Sequence, residues 1–201
     1  MLYYGKNPRR MRMDFGNNIQ ANRRLSSPAK VLAFSGMFVS LIFVSILFLS
    51  IPNGLGGVIH FGDSLIFAAA AVLPFPYGLI VAAVGPGLFN LVRVPIWLPF
   101  TITIKPLMAL CFTDKAATIL GSKRNIIAPF LAAGINTVLY FFANMLLFSL
   151  GVLPATHIGA WAAGIAALPG LVIQGVGSIV FFFLIAKALD GARIKERLFR
   201  F

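Results

Sequence analysis

Long apolar stretches separated by short polar breaks run through most of the chain. The first, from Val31 to Ser50, contains 20 residues and no charge. At 1.5 Å of rise per residue, a helix of that length crosses a hydrocarbon core of about 30 Å. Five further apolar segments follow, at residues 58–73, 77–92, 100–112, 126–150 and 170–186. The pattern predicts six membrane-spanning helices. The stretch at residues 152–168 is rich in Ala and Gly and predicts an interfacial loop with a short helix.

Composition agrees with this pattern and excludes a water-soluble domain. Apolar side chains make up 59% of the 201 residues and charged ones only 11%, which is less than half of the roughly 25% found in soluble domains. Mean hydropathy is +0.92. We expect an all-α, multi-pass protein of the cell membrane. Its six-helix bundle occupies residues 31–187 and is flanked by basic tails at residues 1–30 and 188–201.

Basic residues are concentrated in three polar segments. Of the 17 Lys and Arg residues, seven precede the first apolar segment, three lie in the break at residues 113–125 and five follow the last apolar segment. Six crossings put these segments on one side of the membrane, and the positive-inside rule makes that side cytoplasmic, with both termini there. The orientation of the helices in the membrane therefore explains the net charge of +12, which argues against nucleic acid as a partner. The tails are also placed to touch anionic lipid headgroups, at about 1 kcal/mol per basic residue.

The sequence contains no catalytic or metal-binding motif. Gly121-Ser122-Lys123 lacks the spaced upstream glycine of a phosphate-binding loop, so the chain has no ATP-hydrolysing motif of that kind. His-Glu-x-x-His and paired cysteines do not occur, and five acidic residues leave little material for acid–base catalysis. We therefore expect no enzyme activity, no cofactor and no metal.

Two charged residues lie within apolar segments, and we expect them to pair. Asp63 starts the second segment's helix and Lys105 lies in the fourth segment, where an unpaired Lys costs about 3 kcal/mol. Their pair either only ties two helices together or lines an outward-facing pocket for a polar ligand. The same two interpretations stand for the amides of Asn136, Asn144 and Gln174, which are interhelical hydrogen-bond formers or site residues.

Aromatic and basic side chains also gather in the segments expected on the outer side. These residues are His60, Arg93, Trp97, His157 and Trp161. The Trp and His side chains are either site residues or interface anchors. On the first helix, Gly36 and Ser40 are small residues at a four-residue spacing that permits close helix packing. They serve either packing inside the bundle or docking of another membrane subunit.

Three blocks of sequence together resemble one transporter family. They are Gly57-Val-Ile-His-Phe-Gly-Asp-Ser-Leu-Ile-Phe67, Val84-Gly-Pro-Gly-Leu-Phe-Asn-Leu91 and Pro99-Phe-Thr-Ile-Thr-Ile-Lys-Pro-Leu107. With six predicted helices in order, from about residue 30 to residue 187, the chain is similar to a substrate-binding S component of an energy-coupling factor (ECF) transporter. It is most similar to the group that includes the riboflavin, hydroxymethylpyrimidine and pyridoxine types.

The resemblance implies a six-helix protein that captures a vitamin or vitamin precursor on the outer side. It also implies association with a transmembrane coupling subunit and two cytoplasmic ATPase subunits, which supply the energy. Asp63 and Lys105 match the charged positions of two blocks, and Gly36 with Ser40 sits where the family has small residues facing the coupling subunit. Asn90 is a departure because family members often carry Asp there, so the substrate can differ.

The expected substrate site brings these residues together on the outer side. The loop from Asn53 to His60 is expected to close over a ligand that Asp63 and Lys105 contact. Further lining is expected from His60, Asn90, Arg93, Trp97, Asn144 and Trp161, where a Trp ring offers a surface on which an aromatic ligand stacks. Two alternatives predict otherwise: a structural or assembly protein has no small-molecule ligand, and a stand-alone secondary transporter needs no ATPase. A membrane enzyme is the weakest alternative.

Overall fold

Backbone inside a membrane must satisfy its own hydrogen bonds, and the long apolar stretches do so as helices. The computed structural model of the protein describes residues 28–52, 58–153 and 159–199. Its helices are α1 (Pro28–Phe48), α2 (Asp63–Val72), α3 (Phe75–Arg93), α4 (Leu98–Ala109), α5 (Lys123–Ser149), α6 (Ala160–Gly191) and α7 (Ile194–Phe199). Two short antiparallel strands, β1 (Ser50–Pro52) and β2 (Val58–His60), and a 3₁₀ turn (Pro95–Trp97) complete the regular structure of this part of the chain.

The bundle has two distinct ends, because Gly170 and Gln174 contact the β1–β2 hairpin whereas Asp190 contacts the backbone of residues 119–120. One, which we call the hairpin end, carries the β1–β2 hairpin and the 3₁₀ turn. The other, the loop end, carries the segment at residues 110–122 and α7. Helix α1 leads from the loop end to the hairpin, so the described residues begin at the loop end.

The all-α membrane class is confirmed, apart from the small hairpin, but the count of six spanning helices is not. Among the described residues, four helices are long and apolar enough to cross a membrane, namely α1, α3, α5 and α6. Helix α2 has 10 residues and α4 has 12, which gives lengths of about 15 and 18 Å against a core of about 30 Å. The segment at residues 58–73 is shortened because residues 58–60 pair with β1, so its helix starts only at Asp63.

Helix α6 corrects the prediction of an interfacial loop at residues 152–168. The helix begins at Ala160 and continues for 32 residues through Pro169. Membrane helices tolerate an interior proline because neighbouring groups can satisfy the freed carbonyl. Gly170 has a packing role, since a Cβ there would lie 2.9 Å from the side chain of Ile59. The predicted outer-side His157 falls outside the described residues.

The core of the bundle surrounds α2. Every residue of this helix except Leu65 is buried, and the helix packs against α1, α3, α4 and α6. Its run of four alanines permits close approach, and a Cβ at Gly78 of α3 would lie only 3.1 Å from the Cα of Ala70. Bilayer lipid is as apolar as leucine, so such small-residue packing is what holds membrane helices together.

Side chains from α6 and α7 fix the loop end. The Asp190 carboxylate accepts hydrogen bonds from the backbone N–H groups of Ile119 and Leu120, at 2.7 and 2.9 Å. The buried Lys195 ammonium donates to the carbonyl of Ala71, at the end of α2, at 3.0 Å and to the carbonyl of Asp114 at 2.8 Å. These bonds tie the irregular segment and the end of α2 to the C-terminal part of the bundle.

Candidate functional site

A buried ion pair joins α2 to α4. Lys105 Nζ lies 2.7 Å from Asp63 Oδ1 and 2.9 Å from Asp63 Oδ2, and it also donates to Asn136 Oδ1 at 2.9 Å. Both charged side chains are 2% exposed. The pair expected from the sequence is therefore formed, and α5 contributes a third partner through Asn136.

Gln174 of α6 extends this network to the hairpin. Its Nε2 donates to Asp63 Oδ2 at 2.8 Å, while its Oε1 accepts a hydrogen bond from the backbone N–H of His60 at 3.3 Å. One amide thus connects the acidic member of the ion pair to strand β2. Asp63, Lys105, Asn136 and Gln174 together hold α2, α4, α5, α6 and β2 in register, and we call these four side chains the ion-pair network.

A cavity of about 50 Å³ lies against the ion-pair network, towards the hairpin end. Its polar lining comes from His60, Asn90, Thr101, Lys105, Tyr140, Asn144 and Gln174. Its apolar lining comes from Ile46, Val58, Pro86, Val94, Trp97 and Leu171. Because one water needs at least about 10–15 Å³ of such space, the cavity holds only a few water-sized groups. A concave site with apolar walls and a few convergent polar groups is typical of small-molecule binding.

A second set of hydrogen-bonded polar side chains also lines the cavity. Asn90 Nδ2 donates to Thr101 Oγ1 at 2.5 Å, and Thr101 Oγ1 is 2.7 Å from the Tyr140 hydroxyl. The ammonium of Lys105 lies 5.1 Å from the centre of the Tyr140 ring, within range of a cation–π interaction. Asn144 Nδ2 donates to the Tyr140 carbonyl at 2.8 Å. These contacts fix the orientations of the polar groups before any ligand arrives.

Three buried polar atoms at or beside the cavity have no hydrogen-bond partner within the described part of the chain. They are Asn144 Oδ1, His60 Nδ1 and Asn136 Nδ2. Burial lowers the pKa of His60 to about 4. The charge of nearby Asp63 raises this pKa and the charge of Lys105 lowers it, both by less than burial does. The imidazole, which lies outside the four long helices, is therefore neutral at pH 7 and keeps one nitrogen as an acceptor. Buried groups left unpaired in this way are costly, so they are positions where a ligand gains affinity.

The structure brings some of the expected site residues together and leaves others apart. His60, Asn90, Trp97, Lys105 and Asn144 line the cavity, and Asp63 lies directly behind Lys105. Arg93, the last residue of α3, is exposed and does not line the cavity.

Trp161 also lies outside the cavity. Its side chain is 67% exposed in the first turn of α6, with its ring 6.1 Å from that of Phe141. An exposed Trp at the end of a long apolar helix has the position of an interface anchor, which is the alternative interpretation for this residue.

Sequence reasoning missed Thr101 and Tyr140 as parts of the cavity wall. Both carried a usable signal, because residues four apart share one face of a helix. Thr101 precedes Lys105 by four positions, and Tyr140 stands midway between Asn136 and Asn144 at the same spacing. A polar stripe on α4 facing a polar stripe on α5 was therefore readable from the sequence.

The small residues of α1 form an open strip on the outside of the bundle. Gly36 and Ser40 are exposed, and Ser40 Oγ donates to the Gly36 carbonyl at 2.9 Å. A Cβ built at Gly36 would meet nothing within 4 Å. Packing inside the bundle therefore does not account for this pair.

The fold defines a class, an all-α membrane protein with four candidate spanning helices in its described part, and a small cavity lies between its helices. Residues 27–190 match the family model described as ECF-type riboflavin transporter, S component. The chain belongs to this family, whose members are substrate-capture subunits for vitamin uptake and not enzymes. Neither the curated proteins nor the solved structures that were compared with the chain include a match.

Proposed function

We propose that the protein captures a vitamin or vitamin precursor with a flavin-like, pyrimidine or pyridine ring in the cavity at the hairpin end. The observation that carries this proposal is the convergence of buried, partly unpaired polar groups on one cavity, in a chain of the S component family. The family description makes riboflavin the first ligand to test. Asn144 Oδ1 and the neutral His60 ring are the acceptors that we expect the ligand to use, and Trp97 offers an aromatic wall.

Ligand entry must widen the cavity. A space of about 50 Å³ accommodates only a few non-hydrogen atoms, whereas a vitamin ring system has many more. The side chains that separate the cavity from the hairpin end, such as Val58 and Val94, are the ones that we expect to move. The expected closure of residues 53–60 over the ligand stays a prediction, because residues 53–57 lie outside the described residues.

The same proposal includes the orientation and the partners of the chain. We infer that the hairpin end faces outward and the loop end faces the cytoplasm with both termini, because eight of the ten Lys and Arg residues in the described ranges lie at or next to the loop end. The short helices α2 and α4 then complete a six-helix bundle in the cell membrane without each spanning it fully. Gly36 and Ser40 give a transmembrane coupling subunit a flat strip to pack against, and two ATPase subunits supply the energy.

Binding is tested on the purified protein with riboflavin, hydroxymethylpyrimidine and pyridoxine, each titrated by isothermal calorimetry. Native mass spectrometry of gently purified protein checks in parallel for a copurified small molecule. We expect one compound to bind tightly, Asn144→Ala to weaken it by roughly tenfold or more because one buried hydrogen bond is lost, and the control Trp161→Ala to bind it normally. Absence of any bound or copurified small molecule would favour a structural or assembly protein instead.

Coupling is tested with two glycine variants that both have open space around them. Gly36→Leu places a bulky side chain on the proposed docking strip, whereas Gly134→Leu does so on α5, and a Cβ at either glycine meets nothing within 4 Å. We expect only Gly36→Leu to abolish copurification with the coupling subunit, and both variants to bind ligand. Uptake that persists in cells without the ATPase subunits would indicate a secondary transporter.

A further inference from the structure

The hydrogen-bonding capacity of Lys105 is used up within the protein. An ammonium group has three N–H donors, and three oxygen atoms lie within 2.9 Å of Lys105 Nζ. Two of these belong to Asp63 and the third belongs to Asn136. Although Lys105 lines the cavity, it has no donor left for a ligand in this arrangement.

Asp63 is likewise held by the protein. Its Oδ2 accepts from both Lys105 and Gln174, its Oδ1 accepts from Lys105, and the side chain is 2% exposed. A ligand anion recruiting Lys105 would strip Asp63 of its counterion and leave a buried carboxylate uncompensated, which is strongly unfavourable.

The charges at the site therefore cancel. Among the described residues that line the cavity, Lys105 is the only cation and none is acidic, and the charge of Lys105 is balanced by Asp63 directly behind it. His60 is neutral, and Arg93 lies outside at the exposed end of α3. A charged ligand would enter a buried space that offers it no free counterion.

Resting on the proposed function, we propose that the cavity selects net-neutral ligands, and that Lys105 and Asp63 are positioning residues that hold the wall instead of binding the ligand. Recognition then falls to uncharged groups. A ring N–H or O–H donates to Asn144 Oδ1, and ring carbonyl or nitrogen atoms meet the hydroxyl and amide donors of the wall. Carboxylated and phosphorylated forms of the same vitamins are excluded.

Charge selectivity is measured with matched pairs of probes on the wild-type protein. The pairs are riboflavin against riboflavin 5′-phosphate, and pyridoxine against 4-pyridoxic acid. For whichever ring binds, we expect the anionic member to bind at least about 100-fold more weakly, because burying an unpaired charge is strongly penalised. Equal or tighter binding of the anion overturns the inference while leaving the proposed function intact. Failure of every neutral probe overturns the proposed function, and this inference with it.

The positioning role is measured with the single variants Lys105→Met and Asp63→Asn and with their combination. Each single change leaves one buried group without its charged partner, so we expect the affinity for the neutral ligand to fall by about 100-fold or more. The double variant removes both charges with little change of volume, and the carbonyl oxygen of the introduced amide can still accept from Gln174. We therefore expect it to restore affinity to within about tenfold of wild type.

Rescue separates positioning from direct contact. If Lys105 or Asp63 bound the ligand, the double variant would be at least as weak as the worse single variant, which is the result that overturns the positioning role. The melting temperature and the gel-filtration profile of each variant show which proteins are folded. Because the double variant keeps a neutral interior, it supplies a folded protein for the comparison even where a single variant fails to fold.

Discussion

Replacing Gln174 with leucine tests whether the ion-pair network holds the site in place. The change removes the 2.8 Å hydrogen bond to Asp63 Oδ2 and the 3.3 Å bond from the His60 N–H. A hydrogen bond to a charged group contributes about 1.5–3 kcal/mol and a neutral one about 0.5–1.5 kcal/mol, but polar contacts between membrane helices average near 0.6 kcal/mol. We therefore expect a loss of about 2 kcal/mol, which for a chain of this size lowers the melting temperature by roughly 4–8 °C.

The assay is thermal unfolding of the purified protein in detergent, together with a ligand titration. The control is Ile173→Ala, because this adjacent side chain is 57% exposed on the outside of α6 and loses little packing. We expect Gln174→Leu to lower both the melting temperature and the affinity, and the control to change neither. A melting temperature within about 1 °C of the control would refute the view that this amide ties β2 to the ion pair.

A second substitution at the same position adds a pH test with a definite sign. Gln174→Glu keeps the acceptor for His60 but places a second carboxyl group 2.8 Å from Asp63 Oδ2. Two carboxyl groups at such a short distance share one proton, because like charges disfavour the ionisation of both. The variant is therefore expected to approach wild-type stability at pH 5 and to lose stability as the pH rises to 8, when both groups are driven to ionise. Equal destabilisation at both pH values would contradict the assigned contact.

Three further expectations follow from other parts of the molecule. Gly85→Ala should lower the melting temperature, because its methyl group would lie 2.9 Å from the side chain of Ile42 in α1 and overpacking costs about 1–3 kcal/mol. The control Gly134→Ala should not, because a Cβ there meets nothing within 4 Å. Lys195→Met should lower stability by about 3 kcal/mol or more, because it loses two charge-assisted hydrogen bonds that each contribute about 1.5–3 kcal/mol. Thermal unfolding should show no such loss for Lys187→Met, whose side chain is exposed. Buried His60 has a pKa of about 4, whereas a histidine in the unfolded chain takes up a proton near pH 6.5. Wild-type stability should therefore fall by up to about 3 kcal/mol as the pH is lowered from 6.5 to 4. His60→Gln should show a flatter dependence of stability on pH.

Hydropathy locates the helices well but does not determine their lengths. Averaged apolarity does not distinguish a strand from a helix in a short apolar run, which is why the pattern assigns Val58–His60 to the second helix. Pro169-Gly170 has the sequence of a helix boundary, yet α6 continues through it. Interior prolines in membrane helices are compensated by neighbouring groups, and those neighbours are known only once the helices are packed.

The charged part of the site is more predictable than the cavity wall. A buried Lys needs a counterion, and outside the basic segments Asp63 is the sole acidic residue of the sequence, so elimination alone pairs it with Lys105. The wall depends on how each helix is rotated about its axis. That rotation turns Tyr140 inward and leaves Trp161 exposed, and hydropathy alone does not predict which of these two aromatic residues faces the cavity.

The same physical cost that makes the ion pair predictable also limits what the pair can do. A buried charge requires a partner, and here the protein supplies every partner that Lys105 can use. The residues that attract attention in an apolar sequence are therefore the ones already satisfied in the fold. One unpaired acceptor at the cavity is the amide oxygen of Asn144, and asparagine also serves routinely as a hydrogen-bond former between membrane helices. Ligand contacts in such a protein are better sought among buried polar atoms without partners than among its charges.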